Sequence, residues 1–131
     1  MAYFTGTAAT MADLKTAIEN AAVAAGWTLT SGILSKGGCF FQLVANQVTN
    51  PYLQLNGGTS QSGATLNGQP TNNVRIASGT AQPIVFPVTY EVHTFNNPDE
   101  VYCVINYNSD FYQTLAFGKS DIPGIGGTGA W

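Results

Sequence analysis

Three side chains have the chemistry for a catalytic or metal site: Cys39, His93 and Cys103. A thiol beside a histidine base can act as a nucleophile, and thiolates with an imidazole nitrogen can bind a soft metal ion. Their spacing matches neither arrangement, because no orienting acid and no second pair of ligands accompany them. Both cysteines fall in apolar strand patterns, where a thiol commonly serves as a small core residue. We therefore expect no catalytic residue, no metal and no cofactor; a disulfide between the cysteines stays open, since spacing does not exclude it.

Two glycine motifs resemble nucleotide-binding sequences. Residues 124–129 match the pattern G-x-G-x-x-G, but the glycines do not open a strand-helix-strand unit. The G-K-S sequence that begins at Gly118 has Gln113 at the position where a P-loop requires glycine. Neither motif predicts a nucleotide site.

The carboxylates of Asp99, Glu100 and Asp110 fall in turn sequences. A carboxylate in a turn commonly accepts hydrogen bonds from backbone N–H groups. Catalysis by paired carboxylates requires a fixed separation that spacing alone does not indicate, so we expect structural roles for these acids.

One helix is predicted over residues 11–25. Thr10 is a suitable N-cap, Asp13 places a carboxylate in the first turn, and Gly26 is a typical residue just beyond a helix end. Leu14, Ile18 and several alanines recur at helical spacing, which predicts one thin apolar face that packs closely on a sheet.

The rest of the chain alternates with the period of β-strands. We predict a hairpin that turns at residues 35–38, a strand from Tyr52, a short strand at residues 74–76 and an antiparallel meander in the second half. The predicted strands cover residues 27–33, 39–44, 52–55, 74–76, 84–95, 101–107 and 111–117. The predicted class is α+β: one N-terminal helix packed on a mostly antiparallel sheet or sandwich, with a long polar loop and an extended C-terminal arm.

Two segments are rich in glycine: residues 57–70, which have almost no core residues, and residues 118–131, which show no periodicity. The composition of the first segment predicts a long loop. The composition of the second predicts an arm or linker attached to a single domain of residues 1–117. Because glycine-rich segments lose much entropy on ordering, we expect both to be ordered mainly by neighbouring subunits. The predicted partner contacts are Gly57, Gly58, Leu66, Ile122, Ile125 and Trp131.

Aromatic side chains are too numerous for one small core that must also satisfy their polar groups. We expect some of them to face a partner, either a protein or a sugar. The aromatic residues considered are Tyr3, Phe4, Tyr90, Tyr102, Tyr107, Tyr112 and Trp131.

Charge is scarce: charged residues make up 8% of the 131 residues, against about 25% in a typical domain, and the net charge is −3. Four cations do not form the basic surface that nucleic-acid binding requires. The sequence has no apolar run of membrane-spanning length, and its first ten residues lack the pattern of a signal peptide. We expect no nucleic-acid partner, no membrane association and a tendency to self-associate.

The whole chain resembles virion structural proteins of tailed bacteriophages. The resemblance rests on YFTGTA at the start, the following helix, GWTLTSGILSKG, YLQLNGG, and the segment PVTYEVHTFNNPDEVYCVINYNSDFYQTLAFGKSDIPGIGGTGAW. It implies a non-enzymatic subunit of the tail tip or baseplate, assembled in the host cytoplasm and in contact with other virion proteins and with copies of itself. It also implies free thiols at Cys39 and Cys103, because such proteins fold in a reducing compartment.

Three alternatives remain at this point. A capsid decoration protein would have the same sequence features, a carbohydrate-binding module of a tail fibre would use the aromatic residues to stack on sugars, and a small hydrolase would need a pocket that brings His93 near a nucleophile.

Overall fold

The computed structural model describes residues 1–120 and 127–130. This part of the chain forms one helix, α1 (Met11–Ala24), and twelve strands, which are numbered in chain order. All of the strand pairs are antiparallel. The first sheet has the order β1 (Ala2–Ala8), β9 (Val88–Asn96), β10 (Asp99–Tyr107), β11 (Phe111–Ser120) and β12 (Gly127–Ala130). The second sheet has the order β2 (Thr28–Thr30), β3 (Ile33–Lys36), β4 (Cys39–Asn46), β5 (Tyr52–Gly58) and β8 (Val74–Ala77). The strands β6 (Ser60–Ser62) and β7 (Thr65–Asn67) form a separate hairpin, and the predicted α+β class is confirmed.

The helix begins as its capping sequence predicts. The Asp13 backbone N–H donates to Oγ1 of Thr10 at 3.1 Å, and Gly26 adopts a φ of +90° just beyond the helix end. The buried face, which includes Leu14 and Ile18, contacts β1 and β9 of the first sheet and β4 and β5 of the second. The thin helix therefore packs against both sheets at once.

The core lies between the two sheets and centres on three aromatic rings. The ring centroid of Phe41 on β4 lies 5.0 Å from that of Phe117 on β11 and 5.9 Å from that of Trp27. Trp27 contacts Phe117 edge-on at 5.4 Å. All three side chains are buried, so this cluster joins the sheets by close aromatic contacts.

A polar bridge also joins the two sheets. The Ala77 backbone N–H on β8 donates to Oε1 of Gln113 at 3.0 Å, and Nε2 of Gln113 on β11 donates back to the Ala77 carbonyl at 2.9 Å. The same Nε2 donates to the Tyr107 hydroxyl at 3.0 Å. The side-chain amide thus takes the place of a neighbouring strand for one residue of β8.

The meander of β9, β10 and β11 matches the prediction, but the long strand begins at Val88 and not at residue 84. Pro87 directly precedes it and has no N–H to donate to a neighbouring strand. The sequence patterns did not indicate β1, which pairs along its whole length with β9, from Ala2 opposite Thr94 to Ala8 opposite Val88.

The prediction of a long loop over residues 57–70 is wrong for most of that segment. Gly57 and Gly58 continue β5, and β6 and β7 follow as a hairpin whose turn contains Gly63 at a φ of +59°. Leu66 is only 4% exposed and packs onto Gly58, where an added Cβ would lie 2.6 Å from the Leu66 side chain. The packing of Leu66 onto Gly58 therefore fixes the position of a segment that its composition predicts to be mobile.

The predicted C-terminal arm is not confirmed in the described residues. Gly118, Lys119 and Ser120 extend β11, and Gly127–Ala130 pairs with it as β12. Gly118 lies on β11 beside Asp99 of β10, and an added Cβ at Gly118 would lie 2.5 Å from the Asp99 carbonyl oxygen. Glycine therefore permits the close approach of β10 and β11 at this point. The predicted contacts Ile122, Ile125 and Trp131 lie outside the described residues.

Candidate functional site

The three side chains with catalytic or metal-binding chemistry do not come together. Tyr102 pairs directly with His93, so the next residue along β10, Cys103, points to the opposite face of the first sheet. Cys103 is buried in the core, and Cys39 reaches the core from β4 of the second sheet. His93 lies on the outer face instead, with Nε2 3.6 Å from a carboxylate oxygen of Glu91. The arrangement provides no nucleophile with a base.

The acids near the start of β10 have structural contacts. Asp99 forms an ion pair with Lys36 at 2.8 Å, and Glu100 accepts a hydrogen bond from the Tyr102 hydroxyl at 3.0 Å. Lys36 Nζ also donates to the Ala25 carbonyl at 2.8 Å, close to the negative end of the helix dipole. Within residues 1–120 and 127–130, no group of three or more His, Cys, Asp or Glu side chains is placed to hold a metal ion.

Both cysteines carry free thiols, and burial raises the pKa of each. For Cys103 burial raises the pKa to about 12 from 9.0, which lowers its thiolate fraction at pH 8 about a thousandfold. In a Cys39→Ala variant, iodoacetamide at pH 8 is therefore expected to leave Cys103 unmodified in the native protein and to modify it fully in denaturant. Mass spectrometry of the two samples measures this difference, and rapid labelling of the native protein would contradict the buried position of the thiol.

Aromatic side chains line the outer face of the first sheet. The aromatic face, as we call it, consists of Tyr3, His93, Phe95 and Tyr102. The rings of Tyr3 and His93 lie 4.9 Å apart, and those of Phe95 and Tyr102 meet edge-on at 5.7 Å. An open depression of about 330 Å³ lies among His93, Phe95, Tyr102 and Glu100. Since the helix packs against the core-facing side of this sheet, the aromatic face lies on the side away from it.

Among the aromatic residues considered for a partner contact, Tyr3 and Tyr112 are exposed, at 51% and 66%. Tyr107 is buried, whereas Phe4 and Tyr90 are partly buried against the core. Tyr90 lies over Gly6 on the neighbouring strand, where an added Cβ would meet the ring. Alternation along the strands decides which rings point outward.

Strand β1 forms one edge of the first sheet, and Tyr3 of the aromatic face belongs to it. Edge strands in most proteins carry charges, a proline or a bulge that prevents pairing with other chains. The sequence AYFTGTA of β1 contains no charged residue and no proline. The edge therefore presents an unprotected row of backbone donors and acceptors.

A second surface feature is a groove where the second sheet has a gap in one edge. Strand β8 pairs with β5 only as far as Leu55, opposite Val74, and the backbone N–H of Thr59 pairs again with the Asn67 carbonyl at 2.9 Å. Between these points, residues 56–58 of β5 pair with β4 on one side and with no described strand on the other. Residues 68–73 line the cavities at this gap.

The amide groove, as we call this site, has a main cavity of about 350 Å³ that adjoins a smaller one of about 170 Å³. Both are lined by Gly57 and by the loop side chains Gln69, Pro70, Asn72 and Asn73. Asn56 and Gln54 complete the smaller cavity. The main cavity has a volume within the range of small-molecule sites, which is roughly 300–1,000 Å³.

The groove brings together some of the predicted contact residues but not all of them. Gly57 and Gly58 line its main cavity, whereas Leu66 packs beneath the hairpin and is not available to a partner. The amides of the loop were not among the predicted contact residues. The run QPTNN at residues 69–73, with three amides in five residues, is the pattern that could have indicated them.

The described part of the chain contains no helix with the length and apolar character needed to span a bilayer. Comparison with known proteins gave no match to a family model, to a curated sequence or to a solved structure.

Proposed function

We propose that this protein is a non-enzymatic structural subunit of a tailed-bacteriophage virion, located in the tail tip or baseplate. It acts through contacts with further copies of itself and with other virion proteins. The sequence resemblance supports the virion assignment. The observation that supports a contact role is the unprotected edge of β1, which carries Tyr3 of the aromatic face at its outer side.

The contact we propose joins two copies edge to edge through β1. A two-fold axis beside this strand places two identical edges antiparallel, so each copy satisfies the other's backbone groups. The two five-stranded sheets then form one continuous sheet, and the Tyr3 rings bring the two aromatic faces together. With a net charge of only −3, each copy offers little repulsion to the other.

Charges on the β1 edge test this contact. The double variant Tyr3→Lys/Thr7→Lys places exposed cations on both ends of the strand, and like charges across a two-fold axis oppose pairing. Analytical ultracentrifugation is expected to show an oligomer for the wild-type protein and a monomer for the variant, with unchanged circular dichroism. The matched control is Ala64→Lys/Thr65→Lys, which adds the same charge to the exposed hairpin tip. A monomeric wild type at high concentration, or an unaffected variant, would refute the β1 contact.

The position in the particle requires a separate measurement. Mass spectrometry of purified virions is expected to detect the protein at the low copy number of a tail-tip or baseplate ring. A copy number that matches the capsid lattice would identify a capsid decoration protein instead. Complete absence from purified particles would reject the virion assignment.

A further inference from the structure

We propose that the amide groove binds a neutral saccharide. This goes beyond the proposed structural role, and the two are independent, because the groove lies on the second sheet and the β1 edge on the first.

The shape of the groove suits a compact ring. The open edge covers residues 56–58 only, and at about 3.3 Å per residue it is about 10 Å long. It is closed at one end by the pairing of Leu55 with Val74 and at the other by the bond between Thr59 and Asn67. An extended peptide needs a longer edge to add as a strand, whereas one or two sugar rings fit between the closed ends.

The amide side chains of the groove have donor and acceptor groups that make no hydrogen bond to the described part of the chain. In the part of the chain that the structure describes, the side chains of Asn72 and Asn73 make no hydrogen bond. Gln69 is held by one bond from Nε2 to the Leu66 carbonyl at 2.9 Å, which leaves its Oε1 free. Asn56 accepts from Gln54 at 2.8 Å through Oδ1, which leaves both N–H groups of its amide free.

Free amides of this kind match sugar hydroxyls. An Asn or Gln amide has both donors and an acceptor, and each hydroxyl group likewise donates and accepts. Several amides that converge on one cavity can therefore bond neighbouring hydroxyls of one ring. The two bonds that hold Gln69 and Asn56 also orient their amides before a ligand arrives, which lowers the entropy lost on binding.

The lining also indicates an uncharged ligand. None of the described residues that line either cavity carries a charge. The nearby cation, Arg75, is already engaged: its guanidinium donates to Oε1 of Gln54 and lies 4.5 Å from the ring centroid of Tyr52. An acidic sugar would find no free cation in this lining.

The floor of the groove allows close approach of a ring. Gly57 has no side chain to fill it, and the buried ring of Phe41 lies behind Gly57, 3.4 Å from where a Cβ would be. Together with Pro70 these residues form an apolar wall for the C–H face of a sugar, while the amides bond its hydroxyls.

The test is a ¹H–¹⁵N NMR titration of the full chain with glucose, galactose, mannose, N-acetylglucosamine and disaccharides of each. At least one is expected to shift the side-chain amide signals of Asn56, Gln69, Asn72 and Asn73 in a saturable way, with a dissociation constant on the order of 1 mM. Glucuronic acid is expected to shift none of them. The variant Asn72→Ala/Asn73→Ala is expected to bind at least about tenfold more weakly, since it removes two amides that bond the sugar hydroxyls.

Asn20→Ala is the matched control, because Asn20 is an exposed asparagine on the helix, away from the groove. It is expected to bind as the wild type does. The proposal is overturned if no sugar shifts these amides up to about 100 mM, if the double variant binds with unchanged affinity, or if the peptide Gly-Asn-Gly binds and the sugars do not. None of these results affects the β1 contact, which ultracentrifugation tests without sugar.

Discussion

Replacing Phe41 with alanine is expected to lower the free energy of unfolding by about 3–5 kcal/mol, the usual cost of removing a buried phenylalanine ring. The ring is fully buried and contacts Trp27 and Phe117, which come from different parts of the chain. Its removal leaves a cavity between the two sheets and also removes two aromatic contacts. Total stability is typically about 5–15 kcal/mol, so the loss is a large fraction of it. Urea denaturation followed by circular dichroism measures the change.

Phe40→Ala is the matched control. Phe40 precedes Phe41 on β4, so it points to the other face of the strand and is only half-buried. Its replacement is expected to cost less than half as much. If the two variants lose similar stability, the aromatic cluster does not have the central position described here. Phe41→Leu, which keeps most of the side-chain volume, is expected to lie between the two.

Replacing Gln113 with leucine is expected to lower the free energy of unfolding by about 2–4 kcal/mol. The change leaves both the N–H and the carbonyl of Ala77 without a partner. A buried unpaired polar group costs about 1–3 kcal/mol, and because Ala77 is only partly buried each of these two groups falls in the lower part of that range. Gln42→Leu is the control, because Gln42 is a half-buried glutamine on β4.

Gln113→Glu separates the two halves of this bridge. A carboxylate still accepts a bond from the Ala77 N–H but has no N–H to donate to the Ala77 carbonyl. Hydrogen exchange of the Ala77 amide is therefore expected to stay slow in Gln113→Glu and to become fast in Gln113→Leu. Equal exchange rates in the two variants would show that the side-chain amide does not hold β8 to β11.

Local patterns predicted the parts of the fold that depend on neighbouring residues. Both ends of the helix lie within one residue of their predicted positions. Thr10 fixes the start and Gly26 the end, each through backbone groups a few positions away. The meander also follows from alternation and short turns. Strand β1 was missed because its small and polar residues alternate only weakly, and its paired residues on β9 lie 80 to 92 positions along the chain.

Glycine was the main source of error. Composition assigned the segments around Gly58 and Gly118 to flexible chain, because glycine loses the most entropy on folding. The structure instead uses both glycines for close packing, one beneath Leu66 and one beside Asp99. Whether a glycine marks flexibility or close approach depends on what lies opposite it, and the sequence does not show that.

The sequence indicated one of the two candidate sites, the aromatic face, better than the other, the amide groove. An excess of aromatic residues predicted a partner contact for some of them, and alternation along β1, β9 and β10 places Tyr3, Phe95 and Tyr102 on one face. The amide groove had no such pattern, because it arises from the different lengths of β5 and β8. Its side chains come from two separate segments that meet only in the folded protein.

The pairing of the first strand with the ninth also sets an order of events during synthesis. Ala8 pairs with Val88, 80 positions later, and a ribosome that adds 5–20 residues per second needs about 4–16 s to cover that distance. By the end of that interval the ribosome has synthesised every residue of the second sheet, the last of which is Ala77. The nascent chain therefore passes through a stage in which one sheet and the helix are available to fold, while β1 has no partner within its own chain and both of its edges are open.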